Sequence, residues 1–193
     1  EARRRGDGTA ALVADTRAYG LFREVVTTAD GLDRDPEMRR LAALAEYDAA
    51  DRALRGLGDA ERGRTGFEKT LSRLSVLGDE SELAPLRHAA LVDLGRLALA
   101  RTDDPAAGVA DAKRRLAAAS VLPTSERDPR YPRARIRLLE AAIGLRSADA
   151  AEAERARRDL VVQAAGTEGD EPRWRELADD AKAELARVPP PPR

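Results

Sequence analysis

Phe22-Arg23-Glu24-Val25-Val26 returns in altered form as Phe67-Glu68-Lys69-Thr70-Leu71, as Ala112-Lys113-Arg114-Arg115-Leu116 and as Ala156-Arg157-Arg158-Asp159-Leu160. The apolar residue closing each copy falls at Val26, Leu71, Leu116 and Leu160, so the steps are 45, 45 and 44 residues. A period of this size marks an array of helical hairpins, each burying its apolar face against the next. Such arrays usually bind other macromolecules and seldom do chemistry. The register also makes Leu71, Leu116 and Leu160 equivalent, so truncating any of them to Ala should cost ~2–5 kcal/mol.

The punctuation around the copies is helical. Asp35-Pro36, Asp104-Pro105, Asp128-Pro129 and Glu171-Pro172 each place an acidic cap before a proline, which suits a first helical turn because its missing donor is not needed there. Ser81 caps another start. Gly31, Gly78 and Gly166 are the expected stops, where glycine accepts a left-handed cap, and Pro123 stops another helix. These signals predict eight helices, at about 9–29, 36–54, 59–77, 82–101, 105–121, 132–145, 148–165 and 172–188. Apolar stripes agree: Leu41, Leu44, Tyr47 and Leu54 in the second helix, Leu91, Leu94 and Ala98 in the fourth, Ile136, Leu139 and Ile143 in the sixth. No segment alternates like a strand. Residues 1–8 read as a junction or disordered segment, 9–188 as the repeat domain and 189–193 as a proline-rich tail.

Leu97-Ala98-Leu99-Ala100-Arg101-Thr102-Asp103-Asp104-Pro105, running into Ala112, Leu116 and Ala119 and closing at Pro123, resembles the tetratricopeptide pattern of helix, polar turn, second helix and proline. The longer period, without a Trp-Leu-Gly-Tyr signature, is similar to HEAT-type repeats or long-helix relatives. The reading is therefore all-α: a right-handed alpha-solenoid of about three and a half helical hairpins. Helices two, four and six are the first members of pairs, helix one partners a missing first helix, and helix eight caps the array.

Composition narrows the function. Only 3% of residues are aromatic, so the core must be Leu, Ala and Val, which suits close helix packing. Charged residues make up 36%, yet they cancel to a formal net charge of -1, which gives no pull toward nucleic acid. The absence of Cys excludes thiol chemistry and disulfides. No apolar run approaches the ~20 residues that span a bilayer. The basic residues are almost all Arg, which reads as GC-rich coding and a bacterial source. The chain does not start with Met, so an upstream signal, anchor or domain is expected, and the compartment stays open.

No residues assemble a catalytic, cofactor or metal site. His88 is the only histidine and reads as an ordinary helical residue. The carboxylate clusters (Asp79-Glu80, Asp103-Asp104, Glu168 to Glu171, Asp179-Asp180) sit at turns and helix starts, as caps do. Arg114-Arg115 and Arg157-Arg158 share repeat positions and read as a solvated ridge. Tyr131 and Trp174, flanked by arginines, read as packing beneath guanidinium stems. The function expected is a non-catalytic scaffold or adaptor that grips a protein or peptide on a concave face. First helices should line that face, through Arg40, Tyr47, Arg87, His88, Arg135 and Arg137. Arg135 and Arg137 should both be exposed. The alternative is a dimerising regulatory or sensor domain from a larger membrane or signalling protein.

Overall fold

Asp35 accepts a hydrogen bond from the Glu37 amide, Asp104 from the Ala107 amide and Asp149 from the Ala151 amide, and a helix starts after each. The computed structural model describes residues 2–32, 35–77, 83–101, 103–122, 130–166 and 171–188, with side-chain surroundings from residue 8 onward. All regular structure in these residues is helical: α1 (Ala2–Asp30), α2 (Pro36–Asp51), a π-helical turn (Arg52–Gly56), α3 (Ala60–Leu77), α4 (Ala84–Leu99), α5 (Pro105–Ser120), α6 (Arg130–Gly144), α7 (Ala150–Ala164) and α8 (Pro172–Arg187). Pro36, Pro105 and Pro172 open their helices as expected. Gly166 takes a left-handed φ of 67° after α7. Gly31 does not; among the described residues the other left-handed glycine is Gly58, just after the π-helical turn. The stops and caps expected at Gly78, Ser81, Pro123 and Asp128, and the proline tail, lie outside the described residues.

The chain divides within α4 into two units, residues 1–94 and 95–193. In the first, α2 packs on both α1 and α3. Its buried face is Ala42, Ala43, Ala45, Glu46, Ala49 and Ala50, while Leu41 and Leu44 stay 43% and 46% exposed. Of the apolar stripe expected for this helix, Leu41 and Leu44 lie outside the buried face, while Tyr47 and Leu54 are half-buried. The approach of α3 is close: a Cβ on Gly66 of α3 would lie 2.6 Å from the Ala50 Cβ, and one on Gly63 2.9 Å from the Leu54 Cβ. At the Gly66 crossing only a small residue such as Ala50 fits. Phe67 and Leu74 are fully buried, and Phe67 meets the Tyr47 ring at 5.3 Å. Leu74 packs with Ala43 and Leu83.

Buried carboxylates hold this unit in register. Glu46 takes the Arg23 guanidinium at 2.6 Å and lies 3.5 Å from Arg73. Asp93 accepts from the Tyr47 hydroxyl at 2.9 Å and lies 3.5 Å from Arg55. Arg73 also grips Asp30 through two bonds of 2.5 and 2.9 Å, and that hydrogen bonding holds the Asp30 carboxyl below its ordinary range.

In the second unit α7 packs on α6 and α8. Leu138, Leu145, Leu160, Trp174 and Leu177 form its core. Tyr131 meets Trp174 edge-on at 5.4 Å, and Arg173 covers the Tyr131 ring at 5.3 Å. Tyr131 thus packs under an arginine as the sequence predicts, and Trp174 is buried in the core. On the expected solvated ridge, Arg114 is exposed and pairs with neighbouring Asp111 at 3.0 Å, as expected, whereas Arg157 is half-buried and donates to the Val188 carbonyl at 2.8 Å.

A Cβ on Gly108 of α5 would fall inside contact distance of the Ala98 carbonyl oxygen, whereas one on Gly20 in α1 meets nothing within 4 Å. Gly108→Ala is therefore expected to destabilise, with ~1–3 kcal/mol of overpacking outweighing its better helix propensity. Gly20→Ala is expected to stabilise by up to ~1 kcal/mol. Urea midpoints of the two variants check the pair.

Candidate functional site

Most of the six expected lining residues are not open to solvent. α2 is covered from both sides, and α4 is buried from Ala90 to Gly95 and again from Leu97 to Leu99. His88 is buried in it. Arg87 is half-buried and donates to the Leu74 carbonyl at 3.0 Å. Tyr47 is spent on Asp93 and Phe67, and Arg40 pairs with its neighbour Glu37 at 2.6 Å. Arg135 is buried, against the expected exposure, because it shares the inward face of α6 with Leu138, Leu139 and Ala142. Arg137 alone among the six is exposed, and it lines a groove.

That groove, of about 530 Å³, runs between α6 and α7. Small residues make its floor: Ala141 and Gly144 from α6, Ala156 from α7, with a Gly144 Cβ position only 3.1 Å from the Ala156 Cβ. α6 supplies Arg137 and Glu140 to the walls; α7 supplies Glu152, Arg155, Asp159, Val162 and Gln163. At ~1.5 Å per residue, the α7 wall is about 16 Å long.

Two features separate this groove from an ordinary solvated face. Arg137, Glu140, Arg155 and Asp159 make no ion pair or hydrogen bond to another described residue. The Gln163 Oε1 is buried and has no donor among the described residues. Val162 adds a side chain that is 64% exposed. The site is suited to recognition: opposed charges along two walls, a narrow apolar floor and one amide oxygen in want of a donor.

A second cleft, of about 480 Å³, lies in the first unit. Tyr19 and Arg23 of α1, Glu46 and Ala50 of α2, and Thr65, Gly66 and Lys69 of α3 line it. Here the buried carboxylate already holds a guanidinium from the chain itself.

Among the described residues, no group of three or more His, Asp or Glu stands together as a metal site, and no helix is long and apolar enough to cross a membrane. Comparison with protein families, with curated proteins and with solved structures finds no match. Of these groove residues the sequence analysis singles out only Arg137, which it places on a concave first-helix face; Glu140, Arg155, Asp159 and Gln163 carry no local signal. The available signal was Gly144, a glycine inside a helical pattern, where a second helix comes close.

Proposed function

We propose that this chain is a helical-repeat interaction module of the tetratricopeptide or HEAT kind, and that it holds a segment of a partner protein in the α6–α7 groove. The pairs α2–α3, α4–α5 and α6–α7 are then the units of a right-handed solenoid with a period near 45 residues. The observation that carries the reading is the set of charges, unpaired among the described residues, that lines the same groove as Gln163. A partner segment that supplies a donor and complementary charge recovers free energy at each of these points.

The experiment is selection of a displayed peptide library on the immobilised protein, repeated with Val162→Arg. Val162 is 64% exposed, so the substitution should alter stability by less than ~0.5 kcal/mol while laying a long charged side chain across the groove. The expected result is enriched peptides whose affinity drops tenfold or more on Val162→Arg at unchanged melting temperature. Peptides indifferent to the substitution would move the interface elsewhere. No enrichment, together with a mass that rises with concentration, would favour the dimerising-domain reading, for which the exposed Leu12, Val13 and Leu21 of α1 are the natural contact.

A further inference from the structure

Five of the described side chains of α1 are charged, and three of them are engaged inside the first unit. Asp15 pairs with Arg52 at 3.1 Å, Arg23 with Glu46 at 2.6 Å and Asp30 with Arg73 at 2.5 Å. Arg17 and Glu24 are the other two. Both are exposed, and neither makes an ion pair or hydrogen bond to another described residue. They stand two helical turns apart on one face, ~10 Å along the axis, too far to pair with each other.

That face carries Val13, Arg17, Gly20, Leu21, Glu24 and Thr28, at the three- and four-residue spacing of a single stripe. The buried Val26 and Ala29 lie on the far side of the helix. Val13 is 63% exposed and Leu21 53%. A Cβ on Gly20 would meet nothing within 4 Å, so there is open space beside Leu21. From residue 8 to residue 14 every side-chain position of α1 is exposed.

A second copy of the same helix fits this stripe in one way. Laid antiparallel about a two-fold axis between Gly20 and Leu21, Arg17 of each copy faces Glu24 of the other, Leu21 enters the space over Gly20, and Val13 faces Thr28. The charge pairing and the fit of Leu21 over Gly20 each fix the position of the axis, and they fix it at the same place. A glycine at that point also lets two backbones come close. A parallel pair would set Arg17 on Arg17 and Glu24 on Glu24, and like charges repel.

We infer that the outer face of α1 is the contact between two copies of this chain, an isologous antiparallel helix pair closed by two Arg17–Glu24 ion pairs. The contact shares no residue with the α6–α7 groove, and the two are tested separately.

Sedimentation equilibrium over the micromolar range is the test. The expected result is a mass that rises with concentration toward twice that of the single chain. Arg17→Glu or Glu24→Arg places like charges at both contacts, and either should weaken the pair about tenfold or more. The double reversal, and an equal mixture of the two single variants, should restore it. Both side chains are exposed, so melting curves of the dilute variants should match the parent. Orientation has its own readout, because the chain contains no cysteine. Under mild oxidation, Val13→Cys mixed with Thr28→Cys should form a linked heterodimer, while each variant alone links far more slowly. Three results overturn the inference: a single-chain mass at every concentration, a dimer indifferent to the charge reversals, or Val13→Cys linking to itself faster than to Thr28→Cys.

Discussion

Phe67→Ala is expected to destabilise its unit by ~3–5 kcal/mol and Leu160→Ala by ~2–5 kcal/mol, while Leu71→Ala and Leu116→Ala cost about half as much or less. Phe67 and Leu160 are fully buried; Leu71 and Leu116 are half-buried. The four marked positions therefore differ in burial: Val26 and Leu160 are buried, Leu71 and Leu116 half-buried. In α3 and α5 the buried seam runs through the positions four before and three after the marked residue, Phe67 with Leu74 and Ala112 with Ala119. In α7 the marked Leu160 is itself buried, because α8 covers that side and brings Trp174 and Leu177 against the same cluster. Urea unfolding followed by circular dichroism checks the order, and equal losses at Leu116 and Leu160 would restore the simple repeat.

Arg146→Met is expected to cost ~3–5 kcal/mol, the usual penalty for leaving a buried charge short of its partner. Glu184 is fully buried; it takes Arg146 at 3.0 Å on one oxygen and Arg187 at 2.5 Å on the other. Arg187 is half exposed and cannot replace Arg146, which also donates to the Ala142 carbonyl at 2.7 Å. The double variant Glu184→Leu with Arg146→Met should recover much of the loss, since an apolar replacement of the whole pair is commonly near neutral. Losses that simply add in the double variant would show that the two groups are not coupled. Arg40→Ala, which breaks an exposed pair with Glu37, should cost no more than ~0.5 kcal/mol. Thermal melts at one ionic strength compare all three.

The sequence by itself determined the helical class and most helix boundaries. Those depend on local chemistry: an aspartate that accepts an amide hydrogen bond two or three residues ahead, a proline whose ring fits only the first turn, a glycine such as Gly166 that turns left. Each signal is complete within a few residues of the chain. The π-helical turn at Arg52–Gly56 escaped because it lies at the end of a good helical pattern and is pressed by α1.

The tertiary structure alone decided which face of each helix is inside. Alanine and leucine both read as apolar at helical spacing, and at Ala50 on α2 the choice was made by Gly66 on another helix, which brings the backbones too close for a larger residue. The same holds for the groove. Glu140 and Asp159 stand on different helices, and nothing local distinguishes an unpaired carboxylate facing a cleft from one facing water. Their meeting beside Gln163 follows from the Gly144–Ala156 crossing, and a crossing is a property of two helices, not of either sequence.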